Sequence, residues 1–110
     1  MNRIVLVLTT VPTGSLAEEI ACILVTERLA ACVNVASPMT SFYRWKGKVE
    51  RDTECQLVIK TTEDRVVALQ QRIGELHTYR LPEFLVLSAS DGSEAYLSWI
   101  TAETRPAPLE

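Results

Sequence analysis

Residues 40–60, "TSFYRWKGKVERDTECQLVIK", decide the fold, because they predict a β-hairpin that is long for a small sheet. Alternating side chains mark the first arm, and the tripeptide at 46–48 supplies a turn with Gly47 at its tip. The second arm is polar near the tip and apolar towards Leu57–Ile59. We infer that the tip leaves the core and projects into solvent or onto a neighbouring subunit.

A helix is predicted on each side of this hairpin, from apolar residues that recur at helical spacing. The first helix begins at Ser15, which forms a capping box with the acid three residues later, and runs to about Ala30. The second helix is capped by Thr61 or Thr62 and ends near His77.

Three further segments predict strands: residues 3–9, 32–37 and 83–88. Ser93 then caps a short last helix. The order is β-α-β-β-α-β with an appended helix, which predicts an α+β, ferredoxin-like antiparallel sheet with two helices on one face and a long hairpin extension.

The other face of this sheet is apolar as well. Leu6 and Leu8 point away from the face that Val5 and Val7 occupy, since successive side chains alternate along a strand. The appended helix is too small to cover a whole sheet face. The pattern therefore predicts that another subunit covers it.

Composition limits the class of protein. The chain has 110 residues, which suits one domain (1–103) followed by a flexible tail (104–110). A net charge of −3 argues against nucleic acid or an anionic membrane as the main partner. No apolar run is long enough to span a membrane. Three cysteines without a C-x-x-C pair predict reduced thiols and a cytoplasmic location.

Five dispersed motifs resemble the CutA family of divalent-cation-tolerance proteins. They are "ERLAACVN" (27–34), "SFYRWKGKVE" (41–50), "ECQLVIKTT" (54–62), "HTYRLPEFLVL" (77–87) and "YLSWI" (96–100). The resemblance covers nearly the whole chain in the same order. It implies a ferredoxin-like subunit in a compact homotrimer, with hairpin arms pairing across subunits. It also implies a link to copper and other divalent cations, without an agreed reaction.

His77, the only histidine, has two interpretations. Neutral imidazole suits copper and zinc, and Glu54 and Glu83 are the carboxylates expected beside it in a metal site. Alternatively, His77 is a helix-terminal histidine.

The resemblance bears on the metal interpretation. Family members linked to copper carry a cysteine at the end of the first strand and a histidine pair before Pro-Tyr. Here Thr9 takes the cysteine position, Leu76-His77 takes the histidine pair, and Thr78 replaces the proline. One ligand of that set survives, so the resemblance implies at most a weak site for Cu(II) or another divalent metal.

The remaining candidates are aromatic or acidic. Tyr79 and Glu83 match the family's Y-x-x-P-E segment and line a pocket at a subunit junction, or else Pro82 merely fixes the entry to a strand. Tyr43 and Trp45 share one face of the hairpin arm. They stack on a ligand, or they pack in an interface, which is the commoner role of such residues.

The preferred function is a non-enzymatic trimer that binds metal ions such as copper, or a small ligand, at subunit junctions. A structural hub that recruits another protein is the alternative. An acylphosphatase-like enzyme is disfavoured, because "TTVPTGSLAEE" lacks the second glycine and the arginine of its anion loop. An RNA-recognition domain would need aromatic residues on the central strands and a basic surface.

Overall fold

A computed structural model describes residues 3–106 of the chain. The described part contains five strands and three helices. They are β1 Ile4–Pro12, α1 Leu16–Thr26, β2 Cys32–Val35, β3 Met39–Trp45, β4 Lys48–Thr62, α2 Val66–Leu76, β5 Leu85–Ser88 and α3 Glu94–Glu103. No helix in this part of the chain has the length and apolar character needed to cross a membrane.

The strands form one antiparallel sheet in the order β2-β4-β1-β5, and β3 pairs with the outer part of β4. Strands β2 and β3 together take the place of one ferredoxin strand, which is interrupted at Ala36–Pro38. The predicted α+β, ferredoxin-like arrangement with a long hairpin is confirmed.

One sheet face and the helices α1 and α2 enclose the main core. Val5, Val7 and Val11 of β1 lie on this face with the β4 residues opposite them. Ile20 of α1 and Ile73 of α2 pack against them from the helix side. Each such side chain contributes roughly 1.5–3 kcal/mol when fully buried, so this layer holds the subunit together.

The opposite face, which we call the open sheet face, is formed by five apolar side chains: Leu6, Leu8, Val58, Leu85 and Leu87. Leu85 and Leu87 are 56% and 45% exposed. Helix α3 covers only one end of this face, where Ile100 packs on Ile4 and Ala31. The described subunit therefore leaves Leu85 and Leu87 largely exposed and Leu6, Leu8 and Val58 partly exposed on this face.

The hairpin turn has the geometry that the sequence predicts. Trp45 pairs with Lys48, so Lys46 and Gly47 form a two-residue loop. Both loop residues have positive φ values, 50° and 80°, as a type I′ turn requires. The arm beyond the core is largely exposed, and Phe42 is the most exposed of its aromatic side chains.

Helix α1 is shorter than predicted, ending at Thr26 rather than near Ala30. Arg28 has φ 59°, and the Arg28 and Leu29 amides donate to the Val25 and Leu24 carbonyls. These contacts form a Schellman motif, which terminates a helix.

The predicted helix starts also differ in detail. Ser15 makes no side-chain capping bond, because its own backbone is already helical. After Thr62 the chain makes a short 3₁₀ turn, Glu63–Arg65, before α2 begins. The predicted cap of α3 is confirmed, since the Ser93 hydroxyl accepts a hydrogen bond from the Tyr96 amide.

The C-terminal boundary lies later than residue 104, where we placed the start of a flexible tail. Thr104 is fully buried, and its hydroxyl donates to the Ile100 carbonyl at 2.8 Å. Arg105 forms two hydrogen bonds with the Asp64 carboxylate, at 2.8 and 2.9 Å. Thr104 and Arg105 thus belong to the folded domain, and the rest of the predicted tail, 107–110, lies outside the described residues.

Candidate functional site

A cleft of about 880 Å³ lies between the hairpin arm and the segment 78–85, which joins α2 to β5. All the predicted site residues except His77 line it. They are Tyr43, Trp45, Glu54, Tyr79 and Glu83. The arm forms one wall, the segment after His77 forms the other, and Glu54 stands where β4 leaves the core.

His77 fixes the second wall to the sheet. It is the C-terminal cap of α2, and its extended backbone leads the chain out of the helix, which confirms the predicted helix end. The ring Nε2 donates to the Thr10 carbonyl at 2.6 Å, and Nδ1 accepts a hydrogen bond from the Tyr79 amide at 3.0 Å. Its contacts therefore fit the neutral Nε2–H tautomer.

These two contacts occupy both ring nitrogens of His77. A metal ligand needs an imidazole nitrogen with a free lone pair, and Nδ1 already uses its lone pair here. Within residues 3–106, no three His, Cys, Asp or Glu side chains are grouped so that they could hold a metal ion. A copper site built from His77, Glu54 and Glu83 of one subunit does not fit this structure.

A hydrogen bond joins Glu54 and Tyr79 inside the cleft. The Tyr79 hydroxyl donates to Glu54 Oε2 at 2.8 Å, and Glu54 is only 8% exposed. Burial raises the pKa of Tyr79 above its ordinary value, and the hydrogen bond to Glu54 raises it further. The phenol therefore stays protonated and acts as a donor to the carboxylate.

Glu83 lies in the same cleft without a partner. Its Oε2 is shielded from solvent, and no described residue offers it a hydrogen bond. Burial raises the pKa of the Glu83 carboxyl, and the negative charge of Glu54 adds to the increase. Arg44 and Arg80 also line the cleft, but neither forms an ion pair with these carboxyls in the described part of the chain.

Tyr43 and Trp45 form the arm side of the cleft. They are two residues apart on β3 and so share a face of the strand. The Tyr43 hydroxyl donates to the Asp52 carboxylate on β4, and this hydrogen bond raises the pKa of Tyr43 to about 12. Both side chains are partly exposed, so they are accessible to a ligand in the cleft or to a partner that packs on the arm.

Sequence reasoning missed Asp52 and Thr10. The hairpin register contains a signal for Asp52, because Tyr43 pairs with Glu50 and Asp52 is the diagonal neighbour on the same face. No local signal indicates the Thr10 carbonyl, because its contact with His77 spans 67 residues of sequence.

Comparison with known proteins agrees with the fold. A family profile described as "CutA1 divalent ion tolerance protein" matches residues 5–103. The divalent-cation tolerance protein CutA of Thermus thermophilus is 44% identical over 104 residues, covering 94% of this chain and 99% of the relative.

Two solved structures are similar over nearly the whole chain. CutA from Xylella fastidiosa has a TM-score of 0.90 at 44% identity, covering 94% of this chain and 99% of that chain. A protein from Archaeoglobus fulgidus described as periplasmic divalent cation tolerance protein CutA has a TM-score of 0.89 at 30% identity, covering 93% and 99%.

Proposed function

The chain belongs to the CutA1 divalent ion tolerance family, and on that premise we propose that it is a non-enzymatic, trimeric protein that binds a cationic ligand in its cleft. One observation carries the ligand part of this proposal. Glu54 and Glu83 are partly or fully withdrawn from water, and neither has a cationic partner among the described residues. Buried carboxylates are normally paired with a cation or fully hydrogen-bonded, so a positive ligand would complete the site.

The site also supports the non-enzymatic part. Nucleophilic or general base catalysis most often uses a histidine with a free nitrogen. The only histidine of this chain directs Nε2 to the Thr10 carbonyl and Nδ1 to the Tyr79 amide. His77 thus links segment 78–85 to β1 through hydrogen bonds and has a structural role.

The open sheet face supports the proposed assembly. Apolar surface of this kind is normally covered by a partner, and within residues 3–106 the sheet has two free edges, one along β5 and the other along β2 and β3. Strand β5 pairs only with β1, and β3 pairs only with β4, within residues 3–106. When unlike edges of identical subunits join head to tail, the assembly forms a ring if the rotation between subunits closes after a whole number of copies, and the family resemblance implies three copies.

The family description names divalent ions, so a divalent cation is the first ligand class to test, and Cu(II) is the first ion to titrate. It would bind the carboxylates of Glu54 and Glu83, with His77 outside the site. Isothermal titration of the full-length protein tests this with the variants Glu54→Gln and Glu83→Gln. Glu18→Gln is the matched control, because Glu18 is exposed on α1, away from the cleft.

We expect cation binding to be lost or strongly weakened in the two cleft variants and unchanged in Glu18→Gln. Equal binding in all four proteins would remove the cleft from the proposal. Light scattering tests the assembly separately, and we expect a particle of three times the 12.3 kDa of one chain. A folded particle of one chain mass would contradict the trimer.

A further inference from the structure

We propose that Phe42 on the hairpin arm of one copy inserts into a notch on the helix side of the next copy in the proposed trimer. The notch lies between α2 and the segment that precedes β5, and its volume is about 160 Å³. We call it the α2 notch, and its lining residues are Gln70, Ile73, Gly74, Pro82 and Phe84. This inference rests on the assembly part of the proposed function and names the side chains that join two copies.

Phe42 is largely unburied in its own subunit. Its side chain is 68% exposed on β3, and the Arg51 guanidinium lies over its ring, 5.9 Å from the centroid. Val49, on the same face of the arm, is 66% exposed. Because aromatic side chains are enriched at the centres of protein interfaces, an exposed phenylalanine on a preordered strand is suited to anchor a partner.

Gly74 in the notch has no structural reason within the subunit to be a glycine. It lies inside α2 without a positive φ, and a Cβ built on its backbone would meet no described atom within 4 Å. Glycine inside a helix lowers stability relative to alanine, because it loses more backbone freedom on folding. The space beside Gly74 is therefore available to a side chain from outside the subunit.

Strand pairing places Phe42 and the α2 notch on the same side of the sheet. Phe42 pairs with Arg51 of β4, which shares a face with the buried Ile59, so Phe42 lies on the helix side. Phe84 packs against the same helix-side core. When the open sheet faces of all copies turn inward, every helix side lies outward. The free edge of β3 in one copy then meets the free edge of β5 in the next, which brings Phe42 to the α2 notch.

Charge complementarity favours the same contact. Arg51, which accompanies Phe42, forms no ion pair within residues 3–106. The last turn of α2 contains no basic residue, and the nearby Arg72 is shared between Glu27 and Glu75. A helix C-terminus attracts a positive charge, so the Arg51 guanidinium would meet an excess of negative charge beside the notch.

The size of the α2 notch suits a phenyl ring. An apolar cavity of roughly 150 Å³ is large enough to bind benzene, and the notch has about 160 Å³. A second copy of the chain supplies the exposed ring, the cation beside it and the free strand edge together. We therefore commit to a second copy as the occupant.

The test measures subunit exchange between isotopically labelled and unlabelled full-length protein by native mass spectrometry. Phe42→Ala removes the ring, and Gly74→Ala adds a methyl group to the notch. We expect exchange to be faster by about 30-fold in Phe42→Ala, as for an interface anchor, and by about tenfold in Gly74→Ala, because of overpacking. Val25→Ala is the matched control on α1, where Val25 is 42% exposed, and it should exchange at the wild-type rate.

Gly74→Ala also protects the test against a folding defect. Alanine at an exposed position inside a helix normally raises stability, so faster exchange in this variant has no explanation within one subunit. Wild-type exchange rates in both Phe42→Ala and Gly74→Ala would overturn the inference and leave the notch to a different partner.

Cross-linking tests the geometry directly. In a Cys22→Ser background, which removes the exposed native thiol, the double variant Phe42→Cys/Gly74→Cys is treated with a short bismaleimide. We expect covalent species of two and three chains on a denaturing gel, and none from Phe42→Cys/Val25→Cys. Equal cross-linking of the two double variants, or none in the first, would overturn the inference.

Failure of this inference differs from failure of the proposed function. If light scattering shows three chains while both notch variants exchange at the wild-type rate, the assembly stands and the contact is wrong. If the wild type is a folded particle of one chain mass, the proposed assembly is contradicted and this inference fails with it.

Discussion

Two buried threonines on the same sheet face should respond in opposite ways to one substitution. Thr61 and Thr9 are both fully buried, and both lie on the face that packs against α1 and α2. The Thr61 hydroxyl donates to the Leu29 carbonyl at 2.8 Å, whereas the Thr9 hydroxyl has no hydrogen-bond partner among the described residues. Thr→Val preserves shape and removes only the hydroxyl, so the pair isolates the hydrogen bond.

The expected magnitudes follow from these contacts. Thr61→Val leaves a buried carbonyl without its donor, which costs about 1–3 kcal/mol of unfolding free energy. Thr9→Val removes a buried polar atom that gains nothing from its surroundings, so we expect between no change and about 1 kcal/mol of stabilisation. The two variants should therefore differ by about 1–4 kcal/mol, with a central value of about 2 kcal/mol.

Urea unfolding measures this difference. With a urea slope of about 1–3 kcal/mol/M, the midpoints of the two variants should lie about 1 M apart. All proteins are compared at one subunit concentration, because the stability of any protein that self-associates depends on its concentration. If Thr9→Val is as destabilising as Thr61→Val, the hydroxyl of Thr9 has a partner and the reasoning fails.

Two further predictions concern the C-terminal contact and the hairpin turn. The hydrogen bonds from Arg105 lower the pKa of Asp64 from 3.8 to about 2. In an NMR titration, Arg105→Gln should therefore return the pKa of Asp64 towards 3.8. An unchanged pKa would show that Arg105 is not the cause. Because the pKa of Asp64 is depressed in the folded state, its ion pair with Arg105 stabilises the protein above about pH 4, and this stabilisation is lost as pH falls towards 2. The Asp64 side chain is 41% exposed, so the ion pair contributes less than about 1 kcal/mol. At the turn, Gly47→Ala should lower thermal stability by about 1 kcal/mol because φ is 80°, and Lys46→Asn should raise it; a neutral Gly47→Ala would argue against the left-handed turn.

Local chemistry explains why most of the fold could be predicted. The hairpin has its turn residues, Lys46 and Gly47, between two arms whose alternation fixes the register. The core face could also be predicted, since Val5 and Val7 alternate with Leu6 along β1. These signals act over a few residues, so a single sequence contains them.

Other features depend on contacts that the sequence does not reveal. Helix α1 ends early because Arg28 adopts the left-handed conformation that glycine usually provides, so the usual stop signal is missing. The cleft depends on the bond between Tyr79 and Glu54, which are 25 residues apart. The sequence marks His77 as a candidate, but the contacts of its two ring nitrogens depend on the three-dimensional structure, because Thr10 lies 67 residues away along the chain.

Strand β4 runs without interruption for 15 residues, from the tip of the hairpin to the middle of the sheet. The inner half of β4 is hydrogen-bonded to β1 on one side and β2 on the other, so the core sets the direction in which the arm projects. A partner that binds the arm would contact a preordered β-hairpin rather than a flexible loop. The backbone of the arm would therefore lose little conformational entropy on association. Rapid docking and slow dissociation are the kinetic behaviour that such preorganisation favours.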